Sequence, residues 1–461
     1  MSSVPAKPLT LGIFQLLSPN GMSGAAWRHP QNASHHYKEL DHWIELAKRF
    51  EDARLDFLFF ADSYGYPTLA GTVPPEAHEE ALLVRMDPMM IISALAAVTD
   101  KLGLVVTAST TFEPPYANAR RFSTLDHFSD GRMGWNIVTG SAMESAARMF
   151  GQELTPHDVR YETGDDYLDL SLTLWESSWE DDAVKVDKAA GVYADPAKVH
   201  PIEHSGPFFQ ASGTYPVEPS PQRTPVLFQA GSSGRGREFA ARNAECVFLQ
   251  GTTLEEVAKA VDDIRTRAEG YGRDRDAIKI LVGLSIFTAE TPEGAAEKLD
   301  ELYVYSSDVG AAIRYSANTG INLLDLDPSS TLDGMHGEQG QSNIDRFRSA
   351  EGRPAPTVRE ILDEFRTRGL RGLVLAGTPT EVVDQMQQYA EATGIDGYLL
   401  EPHITPGTYD DLIDLILPVM RERGLARTEY GAGTLRERLF GDGQVHLRAD
   451  HPGARFRMPA R

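Results

Sequence analysis

The sequence predicts an α/β fold, a TIM-type (β/α)8 barrel with long insertions, on three observations. Short apolar runs of strand length alternate with amphipathic helical runs from one end of the chain to the other. Eight such strands can be counted in order. The turn after the first strand, SPNGMSG, lacks the Gly-x-Gly-x-x-Gly spacing that marks the rival doubly wound open sheet.

The elements follow in order. LGIFQL from Leu11 is a buried strand, and residues 34–54 are predicted to form a helix with Leu40, Trp43, Ile44 and Ala47 at helical spacing. FLFFAD ends the second strand at Asp62. Asp87-Pro88 opens a helix, because proline in a first turn gives up an N–H that has no partner there. GLVVTAST is the third strand, Pro115 to Phe128 the next helix, and MGWNIVTG the fourth strand. PVLFQAG, ECVFLQG, IKILVGLSIFTA and DGYLLEP complete the eight. Residues 1–440 therefore read as one barrel with insertions at about 64–86, 180–223 and 306–355. Residues 441–461 read as a polar tail expected to fray. Insertions of this length in a compact enzyme are usually lids or binding elements, and 306–355 is expected to close over the site.

Composition narrows the function. A length of 461 residues and 41% hydrophobic content suffice for a large core. The net charge of -23 repels phosphodiesters and anionic lipid, which argues against nucleic acid or membrane partners. One cysteine, Cys246, excludes an intramolecular disulfide and a cysteine-rich zinc site. The start of the chain reads as a strand and not as a signal peptide, and no window reaches the ~18 apolar residues of a membrane span, so the expected location is cytoplasmic.

In a barrel, ligands meet the C-terminal strand ends. Those ends carry Asp62 and Ser63, Thr107, Ser109 and Thr110, Asn136 and Thr139, Gln229, Gln250, and Glu401 with His403. Converging hydrogen-bonding groups above an apolar barrel suit a planar ligand with polar edges. The sharpest local signal is QAGSSGRGREFAAR, Gln229 to Arg242, where a strand stops, small residues turn and a helix begins. Such a turn aims N–H groups and a helix N-terminus at an anion, the phosphate of a cofactor or of a substrate, with Ser232 and Ser233 adding hydroxyls. His157 and Tyr161 lie four apart on one helical face, spaced to clamp an anion, pack over a ring or anchor the helix. Histidine spacings fit no metal motif, so no metal is expected, and no nucleophile elbow or catalytic cysteine context is present.

The stretch TASTTFEPPYANARRFSTLDHFSDGRMGWNIVTG resembles the luciferase-like two-component monooxygenases that act on nitrilotriacetate, EDTA, dibenzothiophene sulfone and related compounds. The likeness continues through GAAWRHP, FLFFADS, HDVRY, DKAAGVYADPAKVH, PVLFQAGSSGRG and RTEYGAGTLRERL. It implies a bacterial-luciferase-like TIM barrel, reduced FMN supplied by a separate NAD(P)H:FMN reductase, and O2 as co-substrate. Carried over by motif, the flavin-contacting residues are Asp62, Thr107, Asn136, His157, Tyr161, Ser232 and Ser233, the last four around the phosphate. The mechanism implied is oxygen insertion by a flavin C4a-peroxide, so that the cofactor and not a side chain carries the chemistry. Phe14, Trp27, Phe59 and Phe248 are placed either to line an apolar substrate pocket or to serve as core aromatics. The family also implies a homodimer or homotetramer. Substrate identity stays open, because the loop after the second strand follows no branch of the family. A deazaflavin-dependent dehydrogenase and a non-catalytic flavin-binding protein on the same barrel stay open as alternatives.

Overall fold

The computed structural model describes residues 8–20, 25–69, 71–140, 144–231, 233–251, 253–336, 344–349, 354–367 and 372–458. Four parallel strands open the chain, β1 (Thr10–Leu16), β2 (Phe57–Ala61), β3 (Gly103–Ser109) and β4 (Met133–Val138). Four short antiparallel strands intervene, β5 (Val184–Asp187), β6 (Val192–Ala194), β7 (Pro201–Ser205) and β8 (Gln210–Thr214). The parallel series resumes with β9 (Val226–Gln229), β10 (Cys246–Leu249), β11 (Lys279–Thr288), β12 (Leu373–Gly377) and β13 (Gly397–Leu400).

Pairing in the order β1-β2-β3-β4-β9-β10-β11-β13 and back to β1 closes an eight-stranded parallel barrel. These are the eight strands read from the sequence. The ninth, β12, stands outside the circle. It pairs with Leu284–Thr288, and from Ser285 on this end of the ten-residue β11 overhangs its pairing with β13.

Alternation sorts the side chains into two cores. Phe14, Phe57, Phe59, Val105, Phe228 and Phe248 point inward and fill the barrel. Leu11, Ile13, Leu58, Phe60, Leu104 and Val106 point outward against the helices. The helix Pro115–Phe128 has the predicted bounds. Residues 34–54 differ from expectation: a 3-10 turn, Ser34–Lys38, is separated from the helix Leu40–Asp52 by Glu39 in an extended conformation. The helix expected after Asp87 also begins as a 3-10 turn, Pro88–Ile91, which the Asp87 carboxylate caps by accepting from Met89 N–H.

Two of the insertions are one structural unit. Leu69 and Ala77 from the 64–86 segment share a satellite core with Ala311, Ile313, Tyr315, Phe347, Ile361 and Phe365. Ser316 Oγ ties them by donating to Thr68 O at 2.9 Å. The third insertion forms the hairpins β5–β6 and β7–β8 outside the barrel. The second is anchored by Asp166 on the helix His157–Glu176, which accepts from Phe208 N–H and Phe209 N–H and meets His204 Nε2 at 2.7 Å. The C-terminal segment departs from the expectation of a frayed tail. Through residue 458 it is docked: His451 is buried and its Nε2 meets Asn243 O at 2.9 Å, while Arg455 and Arg457 pair with Asp169 and Asp181. Long-range ion pairs, invisible to local composition, hold it there.

Candidate flavin site at the barrel mouth

The floor of the mouth is aromatic. Phe14 lies 5.8 Å from Phe59 and 6.0 Å from Phe248 by ring centroids, and Phe59 is 6.4 Å from Phe248. Three of the four residues read as substrate-lining thus share one cluster. Trp27 does not join it; it sits 38% exposed on the short turn Ala26–Arg28.

Two polar pairs rise above this floor. Thr107 and Asn136 are register partners on β3 and β4. Thr107 Oγ1 donates to Phe60 O at 2.9 Å and accepts from Asn136 Nδ2 at 2.8 Å. Asn136 is 4% exposed and its Oδ1 has no hydrogen-bond partner. A buried acceptor left unmet costs about 1–3 kcal/mol, so such an atom invites a donor from a ligand. On the opposite wall, four strands round the barrel, Gln250 Nε2 donates to Glu401 Oε1 at 2.6 Å. The sequence marked Gln250 and Glu401 as separate strand ends; only closure of β10, β11 and β13 makes them a pair.

The glycine turn after β9 lies between these walls. Ser233 Oγ caps the helix Gly234–Asn243 by accepting from Gly236 N–H at 3.0 Å, which leaves its own hydroxyl proton to donate. Gly231 N–H donates to Gln229 Oε1 at 2.7 Å. A Cβ on Gly231 would fall 2.8 Å from Gly236 Cα, and one on Gly236 would fall 2.8 Å from Tyr161 Oη, so the two glycines form a cradle that side chains would fill. Tyr161 is buried against Phe239, with its ring 5.1 Å from that of His157. His157 opens the helix His157–Glu176, and its Nδ1 meets Asp158 Oδ1 at 2.8 Å. Tyr161, one turn into the helix His157–Glu176, thus meets Gly236 in the first turn of Gly234–Asn243, which brings the N-terminal ends of the two helices together. Ser232 lies outside the described residues.

Arg235, which sequence reasoning passed over, belongs to this corner. Its guanidinium lies 5.4 Å from the Tyr161 ring centroid and pairs with Asp165 at 2.6 Å. The signal was present in the GRGRE that opens the helix.

Asp62 sits past the end of β2 beside Thr107, in a pocket at the β2–β4 rim. Burial pushes its carboxyl up to about 6, against the opposing pull of Arg85 and of the Ser63 N–H. Cys246 is fully buried inside the barrel and burial raises its thiol, which makes it inert. Among the described residues no group of three or more His, Cys, Asp or Glu is placed to hold a metal ion.

The donor set suits FMN. The cradle and paired helix ends would take a phosphate, the orphaned Asn136 oxygen an N–H or O–H, and the phenylalanine floor an aromatic face. The Luciferase-like monooxygenase family matches residues 22–397. The chain is similar to dimethyl-sulfide monooxygenase of Hyphomicrobium sulfonivorans, at 41% identity over 98% of this chain and 94% of that one. It is equally similar to long-chain alkane monooxygenase of Geobacillus thermodenitrificans, at 41% identity over 98% of both chains. A crystal structure of riboflavin lyase with modified FMN and riboflavin superimposes with a TM-score of 0.94 at 44% identity, covering 98% of this chain and 100% of that one. The chain belongs to the luciferase-like monooxygenase family.

Proposed function

We propose that this protein is a monooxygenase that uses reduced FMN and O2 to oxygenate a small organic molecule. One oxygen atom goes to the substrate and the other leaves as water, with the two electrons supplied by the flavin. The observation that carries the reading is the mouth itself, where a glycine cradle at two helix N-termini, a buried unmet acceptor and an aromatic floor adjoin one another. Bound there, reduced FMN supplies the activation of O2. The protein's own residues do the rest.

Ser233, Tyr161, His157 and the amides of the β9 turn hold the phosphate. Asn136 and Thr107 hold the polar edge of the ring, with Asp62 beside them. Phe14, Phe59 and Phe248 exclude water from below, which protects a reactive oxygen species from wasteful decay. The joined insertions 64–86 and 306–355 close over the mouth from above. Reduced flavin comes from a separate NAD(P)H:FMN reductase in the cytoplasm, and the enzyme works as a dimer or tetramer. No helix among the described residues is long and apolar enough to cross a membrane.

The relatives are named for dimethyl sulfide, long-chain alkane and riboflavin, so kinship alone does not choose a substrate. The test is 18O2 incorporation with purified protein, FMN, a flavin reductase and NADH, screened over sulfides, sulfones, aminopolycarboxylates and alkanes. Labelled product that needs every component is the expected result. Turnover on NADH without flavin overturns the reading. Hydride transfer without O2 points to the deazaflavin dehydrogenase, and FMN binding without product to a non-catalytic binder.

A further inference from the structure

Beside the pair Thr107 and Asn136 lies a pocket that shares Asp62 and Thr107 with the proposed flavin contacts and extends past them to Tyr64, Phe112 and Glu113. It opens at the C-terminal ends of β2, β3 and β4, reaches inward to Thr107 and leaves about 120 Å³ of room. Met89, Ala108, Val138 and Ala146 give it apolar walls. Phe112 closes one corner, stacked on Phe150 with centroids 4.6 Å apart and planes 13° apart. Tyr64 stands edge-on to both rings, at 5.9 Å and 5.0 Å. Aromatic edges and faces arranged this way favour thioether sulfur and cationic nitrogen.

The polar lining has one sign in excess. Asp62, Asp87 and Glu113 face the pocket, against the guanidinium of Arg121 in its lining and that of Arg85, which draws on Asp62 from outside it. The lining guanidinium is committed: Arg121 Nη1 pairs with Glu113 Oε2 at 2.5 Å, and the Tyr64 hydroxyl donates to Oε1 of the same carboxylate. A further carboxylate entering this space would meet like charge with no unpaired cation in the lining. Ser109, buried and accepting from Thr111 N–H, keeps its own hydroxyl proton as a donor.

We propose that the pocket bounded by Asp62, Tyr64, Ser109, Phe112 and Glu113 is the substrate subsite, and that it selects compact, mostly apolar molecules that are neutral or cationic over carboxylate-rich ones. The inference rests on the monooxygenase reading above and deepens it by naming a substrate class. Tyr64 and Glu113 are its specificity-determining residues; neither belongs to the set that holds FMN.

The experiment uses the full chain with FMN and a flavin reductase, and three probes: tetrahydrothiophene (neutral), N,N-dimethylbutylamine (cationic at pH 7.5) and nitrilotriacetate (anionic). Oxygenated product is quantified by mass spectrometry, and FMN affinity is measured separately by fluorescence quenching. The expected result is kcat/KM for the neutral or the cationic probe at least tenfold above that for nitrilotriacetate. Tyr64→Ala, at an exposed ring, should raise KM for the preferred probe at least tenfold with FMN affinity unchanged. Glu113→Gln, which removes a carboxylate and releases Arg121, should shift the probe ratio at least fivefold toward nitrilotriacetate. Preference for nitrilotriacetate, no product from either uncharged or cationic probe, or an unmoved KM and probe ratio in the two variants overturns the subsite. Failure of wild-type protein to bind FMN, or flavin-free turnover, instead overturns the monooxygenase reading.

Discussion

At the N-terminal end of the barrel Arg436 is wholly buried, and at the mouth Asn136 is nearly as deep, yet the two side chains are treated in opposite ways. Arg436 has five N–H groups and makes five hydrogen bonds: two to Glu245 at 2.7 and 3.0 Å, and one each to Gln222 O, Thr224 O and Val445 O. Arg132 at the same end is satisfied by Ser129 O, Ala96 O, Leu102 O, Thr99 O and Thr99 Oγ1. Asn136 Oδ1 meets nothing. Desolvation costs the same at either end, so a fold that completes the guanidiniums of Arg436 and Arg132 at the base and leaves the Asn136 acceptor open at the mouth separates, at these residues, stability from ligand binding. The motif RTEYGAGTLRERL, part of the family resemblance, accordingly serves the base.

The strongest challenge to that division is Arg436→Met. It strands the Glu245 carboxylate in the interior and should cost about 3–5 kcal/mol of stability, read as a lowered thermal midpoint. FMN affinity of the folded fraction should not change; a proportionate loss of affinity would show that the two ends are not separate. The pH dependence has a definite sign. Burial alone would raise Glu245, but Arg436 outweighs it and holds the carboxyl below its ordinary value. Its contribution to stability is therefore present above the usual glutamate range and lost as pH falls through the depressed value. The variant should lack that acid-side loss.

Legibility in the sequence follows the same line. The eight barrel strands could be read because each is a contiguous apolar run, and the glycine turn after β9 because one segment, Gln229 to Arg242, contains it. Asn136 and Thr107 followed from the rule that barrels bind at strand ends. β12 was missed because Leu373–Gly377 is a short apolar run without a place in an eight-fold count; the extra length of IKILVGLSIFTA was its only trace. The aromatic corner of Tyr64, Phe112 and Phe150 comes from three loops, and Gln250–Glu401 spans 151 residues. Such contacts exist only after closure. The docked tail belongs with them, since Arg455 and Arg457 find carboxylates more than 270 residues away.

A middle-sized effect sharpens the mouth's half of the comparison. Ser233→Ala should weaken FMN binding by about 1–2 kcal/mol through loss of a charge-assisted hydrogen bond. It should also lower stability by roughly 1 kcal/mol through loss of the helix cap. Asn136→Ala should weaken FMN binding by about 1 kcal/mol, and its apo cost should come from the lost Nδ2 bond to Thr107 Oγ1 alone, smaller than the loss of a helix cap, since the acceptor removed had no partner. Equilibrium unfolding with and without FMN separates the two. If Asn136→Ala destabilises the apo protein as much as Ser233→Ala does, the orphaned oxygen was not reserved for a ligand.

The effect most specific to the mouth belongs to Asp62. Burial raises its carboxyl from the ordinary aspartate value to about 6, so the folded protein holds a proton that the unfolded chain has released. Between pH ~4 and ~6 the native state binds more protons, and stability must fall as pH rises through that window. Above it the penalty is constant, on the order of 1–2 kcal/mol once partial solvent access is allowed for. Asp62→Asn removes the charge and keeps the shape, so it should stabilise the apo protein at pH 7.5 and leave it unchanged at pH 3.5. The opposite sign is expected from the pair at the base, where ionisation of Glu245 stabilises. Denaturant titrations of both variants at the two pH values therefore test the division directly: Asp62→Asn more stable at high pH, Arg436→Met less so. A loss of stability in Asp62→Asn at pH 7.5 would mean that its carboxylate is held by partners like those of Glu245, and the mouth would then be built on the same terms as the base.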